Sequence, residues 1–267
     1  MSTPVPNPTP YSDVNAILQV LLSSVQTILG NHFIGLYLYG SLASGDFDPQ
    51  RSDIDFVVVT AAEIPDELLP ALKAMHERIA ANGSKWAAEL EGSYISRPAL
   101  RRYDPTQARH PHLERGGSLS VEQHDSDWII QCHILREHGV VLAGPAPHTL
   151  IDPVLPNELR QAVLGILREW WATMLHDASS LRHLGYRAYA ILTMCRALYT
   201  LEHGVIVSKS VAARWAQAAL GERWAALIAW ALAWPPDAQW DNLNETLDFI
   251  RYTLERSQQF DALADEA

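Results

Sequence analysis

The sequence predicts an α+β chain of two domains: an α/β domain over residues 1–155 and an all-α helical bundle over residues 156–267. Three observations predict it. Two apolar runs, Ile34 to Tyr39 and Ile54 to Val59, are rich in aromatic and β-branched residues and read as strands lying between helical patterns. From Asn157 onward the apolar spacing is helical throughout. Pro145, Pro147, Pro153 and Pro156 separate the two regimes and mark a junction. Apolar residues make up 48% of the chain and charged residues 19%, so each part can bury a core of its own.

Taken in order, residues 1–11 are Pro-rich and are predicted to be disordered. Ser12-Asp13 offers an N-cap, and Val14, Ile17, Leu18, Leu21, Leu22, Val25, Ile28 and Leu29 follow at helical spacing up to Gly30. The two strands come next. They are joined by a loop built from Gly40, Ser41, Ser44, Gly45, Asp46, Asp48 and Pro49. A helix is predicted over 66–81, with Pro70 acceptable only in its first turn, and a third strand over 86–95. Residues 96–120 read as a long loop holding a basic island: Arg97, Arg101, Arg102, Arg109 and Arg115 with His110 and His112. Asp125 to His138 is helical, capped by Asp125 or Ser126. In the second domain helices are predicted over 157–176, 184–203, 210–219, 222–233 and 241–259, broken at Gly204, Gly221 and Pro235-Pro236.

The chemistry gathers where the second strand opens with Asp53-Ile54-Asp55. Strand alternation sends both carboxylates to one face. Two such charges repel by about 4 kcal/mol at 4 Å and an effective dielectric near 20. A pair of solvated strand-end aspartates avoids that cost, and so does a divalent cation taken up by hard oxygen ligands. Gly40-Ser41 just upstream favours the cation. Glycine lets the backbone approach a ligand closely, and the turn after it aims N–H groups at a phosphate. Alternation over the third strand puts Glu89 and Glu91 on one face, and either supplies the third carboxylate that completes a metal shell or accepts a proton.

A formal net charge of −11 argues against a nucleic-acid partner, which needs a basic face, and suits a cationic ligand. No apolar run reaches a membrane span and the first residues do not read as a signal peptide. Cys132 and Cys195 fall inside amphipathic patterns as buried free thiols of a reducing, cytoplasmic compartment. The expected state is a monomer with no membrane partner.

The pattern of strand, Gly40-Ser41, short loop and Asp53-Ile54-Asp55 resembles the nucleotidyltransferase superfamily signature. Further segments narrow the resemblance to the bacterial aminoglycoside (3'')(9) O-adenylyltransferases, which modify streptomycin and spectinomycin. These are Leu38-Tyr39 before Gly40-Ser41, Ser52 before Asp53, Arg136-Glu137-His138, Gly144-Pro145, Asp152-Pro153-Val154 and Ser208 to Ala216. The last is similar to that family's Pro-Lys-x-Val-Ala-Ala-x-Trp-Ala motif. Residues 96–120 match poorly.

The resemblance implies AMP transfer from Mg·ATP to a drug hydroxyl, in a nucleotidyltransferase domain followed by a helical domain that helps bind substrate and ATP. Gly40, Ser41 and Ser52 would hold nucleotide phosphates, and Asp53 and Asp55 two Mg²⁺ ions. Glu91 would be the base and share in the metal shell, and Lys209 would reach the triphosphate. The nucleotide-stacking aromatic aligns loosely with Trp234. Tyr186 aligns with an acidic residue of the streptomycin-binding members, which favours spectinomycin over streptomycin unless Asp177 or Glu202 compensates. Two readings compete: transfer to another acceptor, such as a protein hydroxyl or a different amino sugar, and a non-catalytic nucleotide sensor or antitoxin-like protein. The retained carboxylates Asp53 and Asp55 speak against the second.

Overall fold

The computed structural model describes residues 7–234 and 240–261. The chain divides into two compact units, Met1–Pro153 and Val154–Ala267.

The first unit is built on one six-stranded sheet. Its elements in order are α1 (Ser12–Leu29), β1 (Phe33–Leu38), α2 (Gly40–Ser44), β2 (Ile54–Thr60), α3 (Leu69–Ala80), α4 (Lys85–Ala88), β3 (Leu90–Ser96), α5 (Arg97–Arg101), β4 (Arg109–Glu114), β5 (Ser118–Gln123), α6 (Asp127–His138) and β6 (Val140–Ala143). The strand order is β5-β4-β3-β2-β1-β6. Only β2 and β3 run parallel, and every other neighbouring pair is antiparallel.

Alternation along the central strands sorts the side chains. Leu36 and Leu38, Ile54, Phe56 and Val58, and Leu90 and Tyr94 join the apolar side of α1 and Leu72, Met75 and Ile79 of α3 in one core. The intervening positions, Tyr37 and Tyr39, Asp55 and Val57, Glu91 and Ser93, therefore point to the opposite face. Helix α1 alone among the described residues is long and apolar enough to cross a membrane. Its Val14, Ile17, Leu18, Leu21, Leu22, Val25 and Leu29 are all buried in this core.

Several expectations change. Residues 96–120 are not a loop: they form α5, a 3-10 turn at Pro105–Gln107, β4 and the start of β5. Pro111 hides β4 from sequence reading, because proline cannot donate to a ladder. The β3–β4 pairing covers only Gly92↔Leu113 and Ser93↔His112, which leaves Pro111 just outside it. The third strand starts later than expected. Ala87 N donates to Ser84 O and the Trp86 indole donates to Asp13 Oδ2 (2.6 Å), so this stretch coils into α4. Asp13 and Ser12 therefore do not cap α1; Tyr11 precedes it and no side chain caps it. At α6 the N-cap residue is Ser126, whose side chain makes no capping bond. Thr9 is buried, bonded through its backbone N–H and hydroxyl to Asn15 Oδ1, so the ordered chain begins before α1. The disorder expected for residues 1–6 lies outside the described residues.

The second unit holds α7 (Pro156–Glu169), α8 (Leu184–His203), α9 (Lys209–Ala219), α10 (Glu222–Ala233) and α11 (Leu243–Ser257). Helix α8 packs against the other four. It buries residues all round, Ala188, Ala190, Ile191, Met194, Cys195, Leu198 and Leu201 among them, as a central helix must. Gly204 ends it in the left-handed conformation (φ +68°). Helix α7 stops seven residues short of its predicted end and continues as a 3-10 turn, Trp171–Leu175, which buries Trp171 and leaves Trp170 exposed. The break expected at Pro235-Pro236 lies outside the described residues.

Candidate functional site

In the first unit, the sheet face away from α1 and α3 carries the polar residues. Asp55 and Glu91 are register partners on the parallel strands β2 and β3, which places them side by side on that face. Asp53 lies just before β2, and its charge reaches Glu91. Tyr39 donates its backbone N–H to Asp55 O (3.1 Å), so the loop after β1 is pinned at the carboxylates.

Gly40 follows at φ +60°, and a Cβ there would fall inside the Asp55 carboxylate. Both the backbone angle and the space demand glycine. Gly40→Ala is expected to lower turnover by about two orders of magnitude, because it displaces Asp55 and a shift near 1 Å costs about that much. Steady-state kinetics alongside a thermal melt check this; near-native kcat would show that Asp55 has no fixed task.

Ser41 Oγ is buried and makes no hydrogen bond among the described residues, an orphan hydroxyl in the first turn of α2. Ser52 closes the loop: its Oγ accepts from Asp48 N (2.9 Å) and its N–H donates to Asp48 O (2.8 Å).

Burial pushes the Glu91 carboxyl up to about 7, with repulsion from Asp53 adding and Arg115 opposing. A carboxylate held there is matched to accepting a proton at neutral pH. Glu89 is differently placed. It lies outside β3, at the end of α4 (φ −95°, ψ 2°), and is ion-paired with Arg115. The shared face expected of Glu89 and Glu91 is therefore absent, because the chain is not a strand at position 89.

Two further residues join the site: Tyr39, which the sequence offered only as part of the signature segment, and Asp127, which it did not single out. Tyr39 is buried, and its hydroxyl is driven well above its ordinary pKa by burial and the charges of Asp55, Glu91, Asp127 and Asp53. Asp127 opens α6, which packs on α2, and burial lifts it to about 6. Its neighbour Trp128 meets Tyr39 edge-on at 6.1 Å. Farther along the same face, Ser93 Oγ bonds His112 Nδ1 (2.9 Å) and His124 Nε2 (3.1 Å), and the His124 ring lies 4.7 Å from Trp128. Period-two alternation from Glu91 picks out Ser93; no sequence pattern picks out the rest.

Burial also holds His76 and His124 down at about 4, with His112 and His110 adding to the effect at His124. These groups are neutral when folded and near 6.5 when unfolded, so the unfolded chain binds more protons between the two values. Stability is then complete above pH 6.5 and falls as pH drops toward 4. His76 alone, bonded to the Tyr94 hydroxyl at 2.6 Å, accounts for about 2 kcal/mol between pH 7 and pH 5. Urea midpoints at the two pH values check this, and equal midpoints would contradict it.

Among the described residues no group of three or more His, Cys, Asp or Glu side chains is placed to hold a metal ion by itself. Mg²⁺ takes one or two carboxylates and completes its shell with water and substrate phosphates, so the side-by-side pair of Asp55 and Glu91 is a set that suits it. The hard oxygen donors, the repulsion between Asp53 and Glu91, and the orphan Ser41 hydroxyl one residue after Gly40 are the observations that agree with an ion brought in with a phosphate.

In the second unit, Lys209 is the first residue of α9, capped by Ser208, whose side chain accepts from Val211 N. Its Nζ lies 4.2 Å over the Tyr189 ring. Tyr189 and Tyr186 of α8 form an aromatic cluster with the buried Trp171. The Trp234 ring packs on Gly185, where a Cβ would meet it at 2.8 Å. Asp177 accepts from Ser179 N and Glu202 pairs with Arg256 at 3.6 Å.

Comparison with known proteins places both units. A family model described as nucleotidyltransferase domain matches residues 20–91, and one described as aminoglycoside adenylyltransferase, C-terminal domain, matches residues 149–256. An aminoglycoside (3'') (9) adenylyltransferase of Shigella flexneri is 26% identical over 234 residues, covering 81% of this chain and 83% of its own. A spectinomycin 9-adenylyltransferase of Campylobacter jejuni is 26% identical over 221 residues, covering 79% and 81%. The solved spectinomycin adenyltransferase of Enterococcus faecalis, with ATP and spectinomycin, shares the fold at a TM-score of 0.74 and 18% identity, over 91% of this chain and 98% of that one. With the signature loop in the first unit and that C-terminal domain in the second, the chain belongs to the aminoglycoside adenylyltransferases of the nucleotidyltransferase superfamily.

Proposed function

We propose that this enzyme transfers AMP from ATP to a hydroxyl of a cationic aminocyclitol or aminoglycoside, with spectinomycin favoured over streptomycin. The register pairing of Asp55 with Glu91 beside Gly40-Ser41 carries the reading. It puts a metal-ligating carboxylate and a proton acceptor next to a loop that a phosphate can approach.

The reaction needs an acceptor oxygen to attack the α-phosphorus of ATP. A new O–P bond forms, the bond to pyrophosphate breaks, and pyrophosphate leaves with the electron pair. Glu91 takes the hydroxyl proton. Ser41 and the first N–H groups of α2 bind phosphate oxygens, with Ser52 holding the loop in shape. Lys209 adds a cation to the triphosphate. Asp53 and Asp55, with Glu91 sharing, would hold magnesium, which when bound supplies charge neutralisation; two ions suit three carboxylates and a triphosphate. A carboxylate alone near pKa 7 is drawn lower once a cation stands beside it, so Glu91 is ready as a base in the loaded site.

The preference for spectinomycin rests on the aromatic cluster. Streptomycin carries guanidinium groups that need carboxylate partners when desolvated. Tyr186 has no carboxylate to offer, and Asp177 and Glu202 already serve Ser179 and Arg256. The net charge of −11 draws in cationic drugs and disfavours nucleic acid. A monomer acting in the cytoplasm, where ATP and magnesium are at hand, completes the proposal. Calorimetry with each drug in the presence of Mg·ATP tests the preference. Spectinomycin binding that weakens with salt is the expected result. Tight streptomycin binding with none for spectinomycin would reverse it.

A further inference from the structure

We propose that Tyr189 is the positioning residue for Lys209, its ring face holding the ammonium ready for the triphosphate. The inference rests on the reading of Lys209 as a triphosphate contact and deepens it.

All of the contacts involved lie within the second compact unit. Lys209 Nζ stands 4.2 Å from the Tyr189 ring centroid. The ring itself is buttressed. Trp171, only 2% exposed, lies 5.9 Å from it at a 34° tilt, and Tyr186, three residues earlier on α8, lies 5.5 Å from it. The backbone under the lysine is set by the Ser208 cap of α9, and α8 meets α9 again where Tyr199 contacts Trp215 edge-on at 5.3 Å. Tyr189 is nevertheless 42% exposed, unusual for an aromatic with that much support beneath it. Trp234, the other aromatic of interest here, is engaged with Gly185.

A lysine side chain is flexible, and fixing it on a phosphate costs rotamer freedom. A ring that already attracts the cation restricts the stem before ligand arrives. The ammonium has three N–H donors spread about the nitrogen, so one side can meet the π-cloud while another reaches a phosphate oxygen. Ring face, not hydroxyl, is what this task requires.

The test uses the full-length enzyme with ATP affinity by calorimetry and kinetics with spectinomycin. Tyr189→Leu is expected to weaken ATP about three- to five-fold, the scale of an exposed cation–π contact, with kcat little changed. Tyr189→Phe, which keeps the ring, is expected to match the native enzyme. Lys209→Ala weakens ATP further, and adding Tyr189→Leu to it changes nothing more, since the ring then has no cation to place. Tyr189→Gln repeats the test if leucine disturbs the bundle.

Full additivity of the two changes would overturn the proposal, as would a Tyr189→Leu effect on spectinomycin alone. If Lys209→Ala leaves ATP affinity unchanged, the reading of Lys209 fails. If Lys209→Ala weakens ATP and Tyr189→Leu does not, only the role of Tyr189 fails.

Discussion

Asp55→Asn is expected to abolish measurable turnover and leave the first domain folded. The carboxylate lies beside Glu91 across the β2–β3 ladder and under Gly40, where no larger residue fits. Asparagine keeps the shape and removes the charge that a magnesium ion needs. The loss should reach about 10³-fold or more, since metal stabilisation of phosphate charge is worth several kcal/mol. Stability should not fall. The charges of Asp53, Glu91 and Asp127 share this region, so removing one relieves repulsion. The Tyr39 N–H to Asp55 O bond is backbone to backbone and survives the change. Pyrophosphate release and a thermal melt, run on the same preparation, check both halves. Activity within ten-fold of native would remove Asp55 from the metal set.

Glu91→Gln should cost about 10² to 10⁴ in kcat, the range of a lost general base, with ATP binding largely kept. Glu89→Gln should cost far less. Glu89 lies outside the strand and is ion-paired with Arg115, away from the register pairing of Asp55 with Glu91. If Glu89→Gln proves the severe change, Glu91 is not the proton acceptor.

The sequence was most informative where one residue type answers one physical demand. Gly40 at φ +60° and Asp55, which alternation along β2 sends to the face of Glu91, are such cases, as are the helical spacings of α8 to α11. It was least informative where tertiary contacts decide. The Trp86 indole, bonded to Asp13, goes with a short helix where alternation favours a strand, and that moved Glu89 off the site face. Pro111 and the many polar residues around it disguised β4 and β5 as loop. Asp127 carries no motif, and the segment that holds Tyr39 assigns it no task. They reach the site because β1 alternates toward it and because α6 packs on α2. Ser93 meets His112 through cross-strand register and His124 through the chain just past β5, neither of which a local pattern specifies.

The central claim is that the carboxylate face of this sheet transfers AMP to an aminocyclitol hydroxyl. Pyrophosphate release from Mg·ATP, measured with and without spectinomycin and followed by mass spectrometry of the drug, tests it most directly. The account predicts release that depends on spectinomycin, is lost in Asp55→Asn and Glu91→Gln, and leaves a drug heavier by one AMP. Release of no pyrophosphate with spectinomycin or any other aminocyclitol or aminoglycoside, while ATP still binds, would contradict it.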